Sequence, residues 1–285
     1  MGTVLISGAS GFIARNTAEK LKKTGFRTIG ISRKRRSLPH FDAVYPGTLS
    51  EMLHGVFEEG VDVFIHCAYH WGKDDYTVNV EGTRIWAEQA EKEGVKHQIF
   101  LSSVSARPGS ASSYSQAKHI LEEWFLAKNF TVVRLGLVVG KGGLFQRMAD
   151  LVKKYPFVPV LDGGRARVFV SGIQDVCDAL CRAAGPEDWI PGKAWNIFQP
   201  EPFYLKKILE EIKKQSGTRC LFFPASSRLA LVALRILEKI PILRIQISSN
   251  NVIGLKQDIS QDWHSDYSRF GLKEDSLENL VSRAL

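Results

Sequence analysis

Short, wholly apolar runs alternate along the chain with segments whose apolar residues recur every three or four positions. Thr3-Val4-Leu5-Ile6-Ser7 is a run of the kind buried on both faces of a parallel sheet. It leads through Gly8-Ala9-Ser10-Gly11 into a helix with apolar positions Ile13, Ala18 and Leu21, closing near Gly25. Further strands are predicted at Thr28 to Ile31, Val61 to Ala68, Gln98 to Ser102 and Thr131 to Leu135. Helices are predicted between them, at about Val78 to Glu93 and Tyr114 to Ala127. Strands spaced by helices in this order predict an α/β fold built on a right-handed, doubly wound parallel sheet.

The rhythm changes after Gly140, where Gly142-Gly143 and Asp162-Gly163-Gly164 interrupt it. A helix over Ile173 to Ala184 and a late strand over Ala194 to Phe198 follow, and the rest reads as mainly helical. The expectation is a dinucleotide-binding (Rossmann) domain over 1–165, to which the strand near 194–198 returns. A smaller, mostly helical C-terminal substrate lobe would then span 166–285. No internal repeat, low-complexity tract or long linker interrupts the chain.

Composition narrows the class only a little. A 285-residue chain that is 44% hydrophobic and 24% charged has the makeup of a globular protein. Glycine arrives too early in Met1-Gly2-Thr3 for a secretory leader, and no apolar stretch reaches the ~18 residues of a membrane span. The longest candidate, Leu229 to Leu243, is broken by Arg235, Glu238, Lys239 and Pro241. Its apolar core, Leu229 to Leu234 between Arg228 and Arg235, is read as a helix packed on the substrate lobe in preference to a membrane-surface helix. The four cysteines, Cys67, Cys177, Cys181 and Cys220, complete no zinc pattern, so free thiols, no metal and a cytoplasmic setting are expected. The net charge of +8 suits a small polyanion as well as a nucleic acid, and no aromatic–basic motif favours the latter.

The candidate chemistry is more specific. Between a strand and a helix, Gly8, Ser10, Gly11, Phe12 and Ile13 offer a pyrophosphate the unpaired N–H groups and positive dipole end of a helix N-terminus. At the end of the second strand stands Ser32-Arg33-Lys34-Arg35-Arg36, where an acidic residue would repel a 2′-phosphate. A hydroxyl followed by guanidinium groups matches that phosphate, so NADP is expected over NAD, with Ser32 and Arg33 as the contacts. Arg35 and Arg36 are read as facing solvent. Ser102-Ser103 closes the fourth strand, and Tyr114 and Lys118, four apart, share one face of the next helix. A neighbouring ammonium would lower the phenol from its ordinary value near 10 and make it a general acid/base, with a serine steadying the substrate oxygen.

Together these motifs resemble the extended branch of the short-chain dehydrogenase/reductase family, the group of nucleotide-sugar epimerases, dehydratases and ketoreductases. The resemblance spans nearly the whole chain. It takes in His66-Cys67-Ala68, Asn79-Val80-Glu81-Gly82-Thr83, Arg134 to Gly140, Gly172 to Val176 and Ser268-Arg269-Phe270-Gly271-Leu272. It implies proton transfer by Tyr114, ribose binding by Lys118 and a substrate-oxygen hydrogen bond from Ser103, with Ser102 the runner-up. It also implies cofactor contacts at Leu49, Cys67, Ala68 and Tyr69, substrate contacts at Asn79 and Arg167, and a homodimer paired through the helices near 78–93 and 114–127.

Departures from the family pattern refine the expectation. Ser102-Ser103-Val104 replaces the dehydratases' Thr-Asp-Glu, which excludes their extra carboxylates. Thr48 stands for an adenine-contacting aspartate and Leu137 for a polar substrate contact. Ser103 and Tyr114 are eleven positions apart, much closer than in typical extended members. The function expected is NADP(H)-dependent reduction or epimerisation of a nucleotide-linked sugar at C4. The alternatives are reduction of a small carbonyl compound without a nucleotide, and NADP binding without turnover. His66 is read as packing at a strand end, and Trp71, Trp86 and Trp124 as core or dimer-helix residues.

Overall fold

The computed structural model describes residues 2–34, 37–72, 74–185, 192–226 and 263–285. Arg35, Arg36 and the run Leu229 to Leu234 lie outside the described residues. The chain divides into two compact units. The first takes residues 1–135, 173–197 and 268–272, the second 136–172, 198–267 and 273–285. The chain thus leaves the first unit at Leu135, well before the expected boundary at 165, and re-enters it at Ile173.

The first unit is built on seven parallel strands: β1 (Thr3–Ser7), β2 (Arg27–Ser32), β3 (Ala43–Pro46), β4 (Val63–His66), β5 (His97–Ser103), β6 (Thr131–Leu135) and, after several elements of the second unit, β11 (Ala194–Ile197). Their spatial order is β3-β2-β1-β4-β5-β6-β11. Strand order reverses between β1 and β4, and in sheets of this kind ligands bind at the C-terminal ends of the strands beside that reversal. β1 is buried at every position, as its unbroken apolar run requires. The expected strand Val61 to Ala68 is shorter, because Cys67 and Ala68 leave the ladder to line the reversal.

Helices cover both faces of this sheet. α1 (Phe12–Lys23) packs with α5 (Ile173–Ala184), and α2 (Asp75–Lys92) with α3 (Ser113–Ala127). Leu5, Ile29, Phe64 and Trp86 belong to one core cluster, while Phe100, Leu121, Phe125 and Val132 belong to another. Trp86 is fully buried, and its indole N–H donates to the Glu51 carbonyl at 2.7 Å, which satisfies the one polar atom of a large core side chain. Gly82 on α2 is required by close approach: a Cβ there would stand 1.9 Å from the Leu49 carbonyl oxygen.

The second unit holds β7 (Leu137–Val139), α4 (Gly143–Lys154), β8 (Phe157–Leu161), β9 (Arg167–Val168), β10 (Val170–Gly172), β12 (Phe203–Tyr204), α6 (Leu205–Ser216), β13 (Leu221–Ala225) and α7 (Leu277–Ala284). Its strands form two-stranded ribbons, β7 with β10, β9 with β12 and β8 with β13. Its core joins Phe145, Met148, Val160, Ile208, Ile212, Leu280 and Val281. Among the described residues this unit therefore mixes strand and helix, where mostly helix was expected.

Candidate active site

The turn after β1 is shaped by close backbone packing. Gly8 has φ +67, and a Cβ there would meet the Ala68 backbone at 2.9 Å. The Ser7 hydroxyl accepts from the N–H groups of both Cys67 and Ala68, each at 3.0 Å, and so ties the end of β1 to the end of β4. Gly11 begins α1 with no side-chain cap, and the first helical turn carries no acidic residue. Ser10 and Gly11 are exposed, and Phe12 and Ile13 half-buried. An uncapped helix start with bare backbone in front of it fits a pyrophosphate. At the end of β2, Ser32 is buried, while Arg33 is exposed with no ion pair among the described residues. A dianionic phosphate fits that free guanidinium.

The two candidate serines are separated by strand alternation. Ser102 and Ser103 point to opposite sides of β5. Ser102 is buried and donates to the Glu122 carboxylate at 2.7 Å. Glu122 in turn accepts from Arg134, whose Nε lies at 2.8 Å, so Ser102 belongs to a buried structural network. Ser103 lies on the other side, 3.0 Å from the Ser105 hydroxyl, and its hydroxyl interacts with the Tyr114 phenol.

α3 places Tyr114 and Lys118 on one face, as their spacing predicts. Ser112 caps this helix by accepting from the Ser115 N–H, which fixes its first turn. The electrostatics differ from the expected lowering of the phenol by its lysine. Burial pushes the Tyr114 phenol above its ordinary value, and the Ser103 hydroxyl pulls the other way. Lys118 is buried with its ammonium donating to the Leu101 carbonyl at 2.5 Å and lying 4.5 Å from the Phe100 ring. It stands 5.8 Å from the Tyr114 ring. Desolvation lowers Lys118 itself to about 8. The phenol is therefore a proton donor at neutral pH.

An aromatic group that the sequence reading missed surrounds Tyr114. Trp71, expected in the core or a dimer helix, is 56% exposed and stacks on the Tyr114 ring, with centroids 5.5 Å apart and planes 11° apart. Tyr69 meets Tyr114 edge-on at 5.0 Å. Tyr69 follows Ala68 directly, so the wall around the phenol continues into the backbone that packs on Gly8. Burial, reinforced by Asp75, pushes the Tyr69 phenol far up and leaves it protonated. Only position could have flagged Trp71: it falls between the end of one strand and the helix that opens at Asp75.

Other expected residues are placed as follows. The Asn79 carbonyl accepts from the His70 N–H at 2.8 Å, and its two amide protons go to the His70 and Asp75 carbonyls. Both donors of Asn79 thus hold the 70–75 segment in place. Leu49 is buried against α2. Cys67 is half-buried, and burial pushes its thiol up to about 12. His66 is buried, hydrogen-bonded to Gln98 at 2.8 Å and lowered to about 3 by desolvation. Trp124 is half-buried, with Arg84 and Lys128 over its ring. Arg167 belongs to the second unit, exposed on β9 opposite Tyr204. No cluster of three or more metal-ligating side chains occurs among the described residues.

Comparison with known proteins agrees with this architecture. The profile of the NAD dependent epimerase/dehydratase family matches residues 4–197. A ceramide reductase of Caulobacter vibrioides is 29% identical over 205 residues, which cover 64% of this chain and 61% of that protein. The match thus spans about three-fifths of that relative's length. A 3 beta-hydroxysteroid dehydrogenase/Delta 5-->4-isomerase of Mycobacterium tuberculosis is 22% identical over 77% of this chain and 70% of its own. Among solved structures, UDP-glucose 4-epimerase of Thermotoga maritima with UDP-glucose shares the fold at a TM-score of 0.74 and 17% identity. That likeness covers 99% of this chain and 97% of the other. The dTDP-glucose 4,6-dehydratase of Bacillus anthracis, solved with NAD, gives 0.70 at 15% identity over 100% and 95%.

Proposed function

Since the chain belongs to the NAD dependent epimerase/dehydratase family, we propose that it is an NADP(H)-dependent oxidoreductase that interconverts a ketone and a secondary alcohol. The observation that carries this reading is the grouping of Ser103, Tyr114 and Lys118, with the aromatic wall running from Tyr114 through Tyr69 to the Gly8 turn.

The bound nicotinamide supplies or accepts the hydride. The chain's own part is to bind, orient and move one proton. The phenol of Tyr114, held protonated by burial, gives its proton to the carbonyl oxygen as charge develops there. Ser103 donates a hydrogen bond to the same oxygen and fixes its position. Lys118 presents an ammonium that holds ribose hydroxyls and steadies the tyrosinate once the proton has left. Gly8, Ser10, Gly11, Phe12 and Ile13 cradle the pyrophosphate, with Leu49, Cys67, Ala68 and Tyr69 lining the rest of the cofactor. Ser32 and Arg33 hold the 2′-phosphate, which is the basis for NADP over NAD. Asn79 acts by fixing the 70–75 segment that carries Trp71.

Two substrate classes follow from different observations. Reduction or epimerisation of a nucleotide-linked sugar at C4 is supported by solved structures of the same fold that hold UDP-glucose. Reduction of a carbonyl compound without a nucleotide is favoured by the exposed face of Trp71 beside Tyr114. It is favoured also by the two curated relatives, which are named for a ceramide and a steroid.

The test is incubation with NADPH and a panel of 4-keto and 4-hydroxy UDP-, dTDP- and GDP-sugars alongside alicyclic and long-chain ketones. NADPH absorbance and product stereochemistry are followed together. Stoichiometric NADPH oxidation by any member of the panel supports the reductase, and the responding arm names the class. Epimer formation without net NADPH loss would replace it with an epimerase. Cofactor binding with no turnover on either arm would replace it with a non-catalytic NADP binder.

A further inference from the structure

The ribbon of β8 and β13 is apolar on both of its faces. Val158 and Val160 turn into the core of the second unit, and Phe222 packs against it. A ribbon covered on one side is expected to carry polar side chains on the other. Here the outward positions are Phe157 and Pro159 on β8 and Leu221 and Phe223 on β13. The parallel register sets Leu221 beside Phe157 and Phe223 beside Pro159, so the four form one continuous patch. Phe157 is 62% exposed, Leu221 56% and Phe223 48%, and exposed Tyr155 extends the patch at its leading end.

The charge at the leading end of this patch is basic, and exposed Asp162 follows β8 at the opposite end. Residues 151–161 and 217–226 contain Lys153, Lys154 and Arg219 and no acidic residue. Both strands start at the same end of the ribbon, so all three cations gather there, Lys154 lying 5.3 Å from the Tyr155 ring. All three are exposed and carry no ion pair among the described residues. On the adjoining helices Glu211 and Glu278 are paired with Lys214, and Asp150, a turn earlier on α4, accepts from Gln146.

We propose that this ribbon is a docking surface for an anionic lipid bilayer, on which the protein sits peripherally. Exposed aromatic and aliphatic side chains rimmed by lysine and arginine match the boundary between acyl chains and anionic head groups. The aromatic rings enter the boundary, and the long basic side chains reach phosphate while their stems stay on apolar surface. A second copy of the chain is a poorer occupant, because a two-fold contact through this end would bring the same cations together. The surface needs no spanning segment, and among the described residues no helix is long and apolar enough to cross a membrane.

Co-flotation of the full chain with vesicles tests this directly. Binding is expected to vesicles of phosphatidylcholine with about 30% phosphatidylglycerol and to be weak on phosphatidylcholine alone. It should fall as salt rises from about 0.1 to about 0.5 M, where screening shortens the reach of the basic cluster. The variant K153E/K154E is expected to bind anionic vesicles at least about tenfold more weakly. The variant F157S/F223S should lose binding while keeping its circular-dichroism spectrum and melting temperature. Absence of vesicle binding, or binding unchanged in both variants, would overturn the proposal. So would a dimer in sedimentation that F157S/F223S dissociates, since a second copy would then be the occupant.

Discussion

At the scale of the residue, burial decides the charge state of the groups around the sheet. His66 and His97 are lowered from 6.5 to about 3 and about 4 by desolvation. Between those values and 6.5 the unfolded chain binds protons that the folded chain excludes, so stability is full above pH 6.5 and is lost as pH falls. Two such groups give a slope that rises to about 2.7 kcal/mol per pH unit near pH 5, in the middle of that window. Urea unfolding from pH 7 to pH 5 should show this fall, and H66Q/H97Q should flatten it. An equally steep fall in the variant would place the acid sensitivity elsewhere. Arg33 makes a separate claim, because with Ser32 it is the basis for preferring NADP, and its exposed guanidinium at the end of β2 has no ion pair among the described residues. Titration of tryptophan fluorescence should give tighter binding of NADPH than NADH, with the difference abolished in Arg33→Asp. Equal affinities in the unaltered protein would remove the preference.

At the scale of the element, what could be read from the sequence was local. The strand–glycine–helix turn at residue 8 and the four-residue step from Tyr114 to Lys118 each lie within one stretch of chain, and both stand where they were expected. The family resemblance favours Ser103 over Ser102, but the physical reason for that order is not local. Adjacent strand residues face opposite sides, and what fills the Ser102 side is Glu122, twenty positions away on α3. The phenol shifts upward instead of downward because burial, which no short stretch of sequence displays, outweighs the Ser103 hydroxyl. Trp71, expected in the core or a dimer helix, is exposed instead, on a segment set by the side chain of Asn79. β3 and the ribbons of the second unit are runs of two to five residues with distant partners, too short for any periodicity to show. The Glu122 network permits a test at this scale. Removing one member of a buried ion pair leaves the other uncompensated, so Glu122→Ala should cost about 3–5 kcal/mol in unfolding free energy. Ser102→Ala should cost about 1 kcal/mol and leave turnover nearly unchanged. A loss of turnover in Ser102→Ala comparable to that in Ser103→Ala would contradict the division of the two serines.

At the scale of the whole molecule, a parallel sheet of seven strands supplies the platform, and a second unit with its own core joins it in the same chain. The family and the fold fix a nicotinamide enzyme in outline, whereas in the proposed reading direction and substrate depend on a few side chains at the ends of β4, β5 and the start of α3. The central claim is that Tyr114 donates the proton while contributing little to cofactor affinity. The most direct measurement compares Tyr114→Phe with the unaltered protein, using NADPH titration for binding and NADPH oxidation with the substrate found in the panel for turnover. NADPH affinity is expected to stay within a few fold and turnover to fall by about 10²–10⁴. Turnover unchanged in Tyr114→Phe would contradict the account.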